Sequence, residues 1–213
     1  MTGGGFMTTV LIVRHGETDH NKHAIMQGRL DVALNETGRE QARKLSQWMA
    51  PRFQIDHIYS SPLARALSTA DFVAQGQSCP LTTVDDLQEI NIGLWQGLTS
   101  EQAQAKNPDI YNQLKLDPLN TRRPGGESYR DLSQRTTRCL SDIVAKHTQG
   151  IICLVTHGGC VRTMLAHALS VPPITFSFVS GLVVDNTGLS ILEYQHSTER
   201  WQTCTINSTA HLT

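Results

Sequence analysis

The sequence predicts a three-layer α/β/α protein, in which helices cover both faces of a mostly parallel sheet that ends in an antiparallel C-terminal strand. Residues 10–13 and 151–155 are short runs of β-branched and apolar residues, typical of strands buried on both faces. Helical spacing of apolar residues follows such runs, and alternating strands and helices favour a parallel sheet. The last strand patterns have no helix between them, which indicates an antiparallel group.

Apolar spacing and local start and stop signals predict the individual elements. The predicted strands are residues 10–13, 55–59, 81–84, 151–155, 182–185, 188–195 and 201–206. The predicted helices are residues 35–50, 62–76, 100–106, 109–116, 128–147 and 161–169. Ser60-Ser61-Pro62 predicts the start of the second of these helices, because serine caps helix N-termini and proline fits the first turn.

Length and composition exclude several classes of protein. The 213 residues carry a net charge of −1, which does not suggest a basic nucleic-acid face, and no apolar run approaches the ~20 residues of a membrane helix. We expect one domain over residues 8–213, with a small cover segment at about 90–125 and a flexible lead-in over 1–7. The five cysteines form no C-x-x-C pair, which favours reduced thiols in a cytoplasmic protein.

Chemically reactive side chains follow the predicted strands where those strands end. Arg14-His15-Gly16 ends the first strand, and Thr156-His157-Gly158 ends the strand at 151–155. Arg65 lies in the first turns after the second strand, and Glu89 follows the third. Ligands of parallel sheets bind beyond the carboxyl ends of the strands, so we expect these side chains to share one rim.

This set of side chains suits phosphoryl transfer. Two guanidiniums can hold a phosphoryl group through bidentate bonds, and their charge disfavours imidazolium, which keeps a histidine nitrogen free to attack phosphorus. A carboxyl such as that of Glu89 can protonate the leaving oxygen. Asn21 offers an amide donor, and backbone N–H groups near Gly158 at a helix N-terminus suit an anion. We expect no metal ion, because the two arginines would repel a cation.

Six sequence blocks, in order, resemble the histidine phosphatase superfamily, the phosphoglycerate mutase-like enzymes. These blocks are LIVRHGET (11–18) with Asn21, QGRLD (27–31) with LNETGREQA (34–42), SSPLARA (60–66), LQEINIGLWQG (87–97), PGGES (124–128) and VTHGG (155–159). The resemblance covers nearly the whole chain from about Val10. His20 and Gln96 depart from the family pattern, and both lie outside the expected phosphate pocket.

The resemblance implies a role for each matching residue. His15 would accept the phosphoryl group and Glu89 would donate the proton. Arg14, Arg65 and His157 would complete the phosphate pocket with help from Asn21. Gln27 and Gly28 match a loop that lines the substrate entrance of the family.

We therefore expect a metal-independent phosphatase that acts on a small phosphorylated metabolite through a phosphohistidine and needs no cofactor. The alternatives are a 2,3-bisphosphoglycerate-dependent phosphoglycerate mutase and a non-catalytic phosphate-binding protein. No nucleic-acid or membrane partner is expected, and a homodimer is possible.

Several other residues allow two interpretations of their role. Arg162 either reaches the site or pairs with a surface carboxylate, and the latter is favoured. Asp31 and Glu17 are expected to order loops rather than to act as acids. The cover segment contains residues that could recognise a substrate carboxylate or a second phosphate, or could be ordinary surface groups: Lys106, Tyr111, Lys115, Arg122 and Arg123.

Overall fold

The computed structural model describes residues 6–171 and 181–213, in which six strands form one sheet in the order β3-β2-β4-β1-β5-β6. The strands are β1 (Met7–Arg14), β2 (His57–Ser60), β3 (Leu81–Thr83), β4 (Gly150–Thr156), β5 (Leu189–Gln195) and β6 (Arg200–Ser208). The helices in the described residues are α1 (Asp19–Lys22), α2 (Glu36–Met49), α3 (Ala64–Gln77), α4 (Ser100–Lys106), α5 (Pro108–Leu116), α6 (Tyr129–Val144) and α7 (Gly158–Ala168).

The strand directions confirm the predicted fold class. β1 pairs with β4 in parallel, and β2 pairs in parallel with both β3 and β4. β5 runs antiparallel to β1, and β6 runs antiparallel to β5. The carboxyl ends of β1, β2 and β4 therefore meet at one edge of the sheet, as expected from the sequence.

β1 lies at the centre of the molecule and supplies side chains to both apolar layers. Val10 and Ile12 pack into the cluster that contains residues of α6 and α7, such as Leu140. Leu11 and Val13 pack into the opposite cluster with residues of α2 and α3, such as Leu45. This alternation follows the period of two along a strand, and it explains why an uninterrupted apolar run encodes a strand covered on both faces.

The predicted strand at residues 182–185 is wrong, because no strand forms there. Arg14 Nη1 donates to the carbonyl of Val184 at 2.6 Å, and Arg162 Nε donates to that of Leu182 at 2.9 Å. These two backbone carbonyls therefore accept hydrogen bonds from arginine side chains and not from a neighbouring strand. Val184 is buried, so its apolar pattern reflects packing in the core rather than pairing in the sheet.

Two predicted starts also differ from the structure. α3 begins at Ala64 and not at Pro62, because Asp31 Oδ1 accepts the hydrogen bond of the Ala64 N–H at 2.7 Å. A carboxylate from a distant loop therefore binds the helix start that the local serines were expected to cap. The predicted lead-in at residues 1–7 extends into the first strand, because Met7 already belongs to β1. Residues 1–5 lie outside the described residues.

The segment between β3 and α6 packs as a small unit above the carboxyl edge of the sheet. Two short 3₁₀ turns, Asp85–Leu87 and Gly93–Trp95, lead into α4 and α5. Trp95 is 2% exposed and packs in an apolar cluster with Ala103 and Leu132. The cover segment expected at about 90–125 falls within this stretch, and its role as a cover stays a prediction. Among the described residues, no helix is both long and apolar enough to cross a lipid bilayer.

Candidate active site

A pocket of about 260 Å³ opens at the carboxyl edge of the sheet, where the strand-end residues converge. Its lining residues are Arg14, His15, Asn21, Ile25, Met26, Gln27, Gly28, Arg65, Glu89, Gly158 and Arg162. Eight of the nine residues singled out from the sequence line this pocket, and the ninth, His157, contacts His15. The structure therefore brings together the side chains that were expected to share one rim at the carboxyl ends of the strands.

His15 is held by the chain around it in one tautomer. Its Nδ1 lies 2.7 Å from the Gly16 carbonyl, which can only accept, so Nδ1 carries the proton. The other ring nitrogen, Nε2, then carries a lone pair. The backbone is fixed as well, since the His15 N–H donates to Thr156 O at 2.9 Å and Asn186 Nδ2 donates to His15 O at 3.0 Å.

The surroundings of His15 keep its imidazole neutral. The side chain is almost fully buried, and burial lowers the pKa well below the ordinary value. The positive charges of Arg65 and Arg14 lower the pKa further. A neutral imidazole with a free nitrogen is the form that can act as a nucleophile.

His157 faces His15 from the end of β4. The ring centroids are 5.1 Å apart, and His157 Nε2 lies 2.8 Å from the Ser61 hydroxyl. Burial and the charge of Arg65 lower the pKa of His157 in the same way as that of His15. Its Nδ1 is buried with no hydrogen-bond partner among the described residues. Ser61 was missed in the sequence because it was assigned to helix capping.

The two arginines of the site are anchored through one end of each guanidinium. Arg65 donates to Leu30 O and Gly28 O, both at 2.7 Å, and Arg14 donates to Val184 O. The Nε atoms of Arg14 and Arg65 are buried and lack a partner in the described part of the chain. Burying a donor without a partner costs about 1–3 kcal/mol, more when it is charged, so the site favours an anion that satisfies these donors.

Glu89 reaches the pocket from the segment after β3 and binds the start of α7. Its Oε1 accepts from the Ile90 N–H at 2.9 Å, and its Oε2 accepts from the Gly159 N–H at 3.0 Å. A Cβ added at Gly159 would lie 2.4 Å from Glu89 Oε1. The absence of a side chain at Gly159 therefore lets the carboxyl lie against the helix N-terminus.

Glu127 holds the segment that carries Glu89. Its carboxylate pairs with Arg29 at 3.2 Å and with Arg135 at 3.1 Å, and it accepts from the Asn91 N–H at 2.8 Å. Arg29 Nε and Arg135 Nη2 in turn donate to the backbone carbonyl of Glu89, at 3.2 and 3.5 Å. Glu127 and the two arginines thus form a clamp around residues 89–91. The sequence comparison placed Glu127 in a family block without assigning it a role.

The loop that carries Gln27 and Gly28 is shaped by close contacts. Gly28 has φ +52°, and a Cβ there would lie 2.6 Å from Ile92 Cγ1, so glycine is required on both counts. The Gly28 carbonyl binds Arg65. Asn21 Oδ1 accepts from the Thr18 N–H and hydroxyl in a capping box, which leaves its amide nitrogen as the group available at the pocket.

Contacts in the structure decide between the other interpretations of the sequence. Arg162 lines the pocket and donates to the Leu182 carbonyl, so the prediction that it pairs with a surface carboxylate is wrong. Asp31 binds the start of α3 and Glu17 Oε1 accepts from Asn35, which confirms their loop-ordering roles. Cys160 is fully buried, and burial raises the pKa of its thiol, so it is not a poised nucleophile.

The cationic residues of the cover segment divide into two groups. Arg122 pairs with Asp131 at 2.8 Å, and Lys106 Nζ lies 3.4 Å from the Leu94 carbonyl. Arg123 and Lys115 instead line a second, mostly apolar pocket. Within the two described stretches, no cluster of three or more His, Cys, Asp or Glu side chains is arranged to hold a metal ion.

The α/β fold thus presents a neutral buried histidine, a nearby carboxyl and two guanidinium Nε donors without a partner in the described residues, a combination suited to an anion. The model of the histidine phosphatase superfamily, branch 1, matches residues 10–207, and the chain belongs to that family. The family resemblance of the sequence is therefore confirmed.

Relatives of known name or structure agree with this membership. Phosphoglycerate mutase-like protein 4 of Arabidopsis thaliana is 37% identical over 161 residues, which are 75% of this chain and 70% of the relative. Phosphoserine phosphatase 1 of Hydrogenobacter thermophilus is 31% identical and covers 97% of this chain and 95% of its own length. A crystal structure of a phosphoserine phosphatase mutant from Entamoeba histolytica with phosphoserine has a TM-score of 0.83 at 28% identity, covering 97% and 100% of the two chains.

Proposed function

We propose that this protein is a metal-independent phosphatase that hydrolyses small phosphate monoesters through a phosphohistidine on His15. The observation that carries the proposal is the state of His15, a buried neutral imidazole whose Nδ1–H is bound to Gly16 and whose Nε2 is free. Relatives named as phosphatases support the hydrolytic activity. The roles of the individual residues are part of this proposal.

In the first step, the lone pair on His15 Nε2 attacks phosphorus. An N–P bond forms as the bond from phosphorus to the ester oxygen breaks, and the Glu89 carboxyl delivers a proton to the leaving oxygen. Arg14 and Arg65 bind the phosphoryl oxygens, and His157 Nδ1 donates to them when Nε2 accepts from Ser61. Such preorganised donors are expected to supply the largest part of the rate acceleration.

In the second step, water replaces the alcohol. The Glu89 carboxylate takes a proton from water, the water oxygen attacks phosphorus, and the N–P bond breaks to release phosphate. The pair of electrons from that bond returns to His15 Nε2, and both His15 and Glu89 recover their starting states. Asn21 and the backbone at Gly158 remain available to the phosphoryl group in both steps.

The substrate proposed is a small phosphorylated metabolite. The Entamoeba histolytica phosphoserine phosphatase binds phosphoserine in one solved structure and 3-phosphoglyceric acid in another. We also propose that the protein acts in the cytoplasm, a location supported by five unpaired cysteines, three of them buried.

The test is phosphate release from a panel of monoesters in EDTA, with 3-phosphoglycerate assayed with and without 2,3-bisphosphoglycerate. The proposal predicts release without added metal, and loss of release in His15→Ala. Conversion of 3-phosphoglycerate to 2-phosphoglycerate without release would show a mutase instead. Binding of phosphate without either reaction would show a phosphate-binding protein.

A further inference from the structure

The turn at residues 185–188, just before β5, lies against the end of β1. The Thr187 N–H donates to Arg14 O at 3.0 Å, and the Arg14 N–H donates to Gly188 O at 3.3 Å. The Gly188 N–H closes the turn by donating to Asp185 O at 2.9 Å. None of these four turn residues lines the phosphate pocket, so any effect on the reaction must pass through a residue that does.

Asn186, within this turn, bridges two residues of the site through one amide group. Its Nδ2 lies 3.0 Å from the His15 carbonyl oxygen and 3.4 Å from Asn21 Oδ1. A backbone carbonyl can only accept, so the atom that faces it is the NH2 nitrogen, whose two protons serve the two oxygens. Asn186 therefore joins the backbone of the proposed nucleophile to the side chain of Asn21.

Donors surround the side-chain oxygen of Asn21. The Thr18 N–H donates to Oδ1 at 3.2 Å, the Thr18 hydroxyl at 3.0 Å and Asn186 Nδ2 at 3.4 Å. If the Asn21 amide were reversed, its NH2 group would face the Thr18 N–H and the NH2 group of Asn186, which are also donors. These contacts leave Nδ2 as the Asn21 atom that can donate in the pocket lined by this residue.

Contacts within α1 do not by themselves fix Asn21 relative to His15. The helix has four residues and none of them is buried, so packing does little to hold it. The hydrogen bonds from Thr18 are local to this helix and move with it, whereas Asn186 is 165 residues away along the chain. The bridge through Asn186 therefore fixes the distance between the Asn21 amide and His15.

We infer that Asn186 is a positioning residue, which holds the Asn21 amide nitrogen where it donates to the phosphoryl group attacked by His15. Asn186 acts through Asn21 and does not contact the substrate. This inference rests on the proposed phosphatase function, and it adds a residue outside the pocket on which binding of the phosphoryl group depends.

The test is a double-mutant cycle of Asn186→Ala, Asn21→Ala and the combined variant. Calorimetry measures the dissociation constant of inorganic phosphate, and steady-state kinetics measure kcat/KM for p-nitrophenyl phosphate. We expect Asn186→Ala to weaken phosphate binding about tenfold, close to the lower end for one hydrogen bond to a charged group, and to lower kcat/KM at least as much. In the Asn21→Ala background the same substitution should change either quantity by less than about twofold.

Controls separate positioning from a general loss of structure. Loss of folded protein lowers the number of sites seen by calorimetry, whereas a misplaced amide weakens each site. Asn120→Ala is the matched control, because Asn120 is exposed and its Nδ2 donates to the Asp117 carboxylate outside the pocket, so both quantities should stay within about twofold of the wild type. Asn186→Ser, whose side chain is too short to bridge the two oxygens, replaces Asn186→Ala if thermal unfolding shows that variant to be unfolded.

The outcomes separate this inference from the function on which it rests. Equal effects of Asn186→Ala in the wild-type and Asn21→Ala backgrounds would overturn the inference, because Asn186 would then act independently of Asn21. An unchanged dissociation constant in folded Asn186→Ala would overturn it as well. If no ester is hydrolysed but phosphate binding shows the expected coupling, the phosphatase function fails and the positioning role stands.

Discussion

His15 depends on a backbone carbonyl one residue away for its reactive form. The Gly16 carbonyl selects the tautomer, and burial together with Arg65 and Arg14 lowers the pKa of the ring. The cost of burying two arginines beside two neutral histidines is offset when an anion enters the pocket. Residue-scale chemistry of this kind predicts specific changes in rate for single substitutions.

Substitution of the proposed proton donor should affect poor leaving groups most. Glu89→Gln keeps the size of the side chain but cannot give a proton to the alcohol. We expect kcat/KM for alkyl phosphates to fall by about 10²–10⁴, and for p-nitrophenyl phosphate by less than about tenfold, because nitrophenolate leaves without protonation. Steady-state kinetics on the two esters measure this difference, and equal losses on both would argue against the role.

The residues of the site were predictable from sequence to the extent that strand ends determine their position. Arg14, His15 and His157 follow directly from the ends of β1 and β4. Ser61 was missed and Arg162 was assigned to the surface, because their contacts depend on which ring or carbonyl faces them after folding. The periodic spacing of apolar residues in the sequence does not predict such contacts.

At the scale of elements, three segments distant in sequence meet at Glu127: the loop that carries Arg29, residues 89–91, and the start of α6 with Arg135. Glu127 precedes α6, Arg135 lies within α6, and Arg29 belongs to the loop before α2. Both arginines also bind the Glu89 carbonyl, so the clamp joins the cover segment to the catalytic edge. A loop without regular structure is thereby held at the position where Glu89 meets α7.

Loss of charge at Glu127 should loosen the segment that carries Glu89. Arg135 is 14% exposed, and removal of one partner from a buried ion pair costs roughly 3–5 kcal/mol, less where water reaches the pair. For Glu127→Gln we expect a loss of about 1–3 kcal/mol in unfolding free energy. The rate on alkyl phosphates should also fall more than the rate on p-nitrophenyl phosphate.

Glu36→Gln provides the matched control, since Glu36 pairs with Arg39 on the surface of α2 and its side chain is 87% exposed. That substitution should change the unfolding free energy by less than about 1 kcal/mol. Denaturant unfolding and the ratio of the two rates measure both effects. If Glu127→Gln lowered stability but slowed both esters equally, Glu127 would be structural and would not position the acid.

Element prediction succeeded where an apolar pattern and its hydrogen bonds agreed, and it failed where they diverged. β1, β4, α4 and α5 lie where the patterns predicted them, within a few residues. Residues 182–185 do have an apolar pattern, but arginine side chains donate hydrogen bonds to the backbone carbonyls of Leu182 and Val184, and no strand forms there. At the start of α3 the cap comes from Asp31, which lies 33 residues earlier in the chain.

On the scale of the whole molecule, the end of the chain is tied to the central strand. The Thr187 hydroxyl donates to Asn186 O, so it accepts at 2.8 Å from His211 Nε2. The Thr187 N–H donates to Arg14 O at 3.0 Å, next to His15. Burial lowers the pKa of His211 to about 4.

This shift predicts loss of stability in mild acid. Below pH about 6.5 the unfolded chain protonates His211 while the folded protein does not, so unfolding takes up a proton. The unfolding free energy should fall as pH decreases from about 6.5 to 4, with a contribution from His211 of about 2–3 kcal/mol. Burial lowers the pKa values of His57, His147 and His167 as well, which adds to the slope in the same direction.

Comparison of His211→Gln with the wild-type protein isolates the contribution of this one residue. Glutamine can still donate to Thr187 but does not titrate, so the variant should lose less stability between pH 6.5 and 4. Denaturant unfolding at several pH values measures the difference. Parallel stability curves for the two proteins would show that His211 does not take part.

The measurement that tests the central claim most directly is the trapping and location of the phosphoryl group. The protein is mixed rapidly with a phosphate monoester in EDTA and quenched in base, because phosphohistidine is labile in acid, and its peptides are analysed by mass spectrometry. We predict one phosphoryl group on His15 that forms and decays during turnover. It should be absent from His15→Ala and retained in His23→Ala, whose exposed ring binds the Asp19 carbonyl outside the pocket. A phosphoryl group on another residue, or its persistence in His15→Ala, would contradict the account.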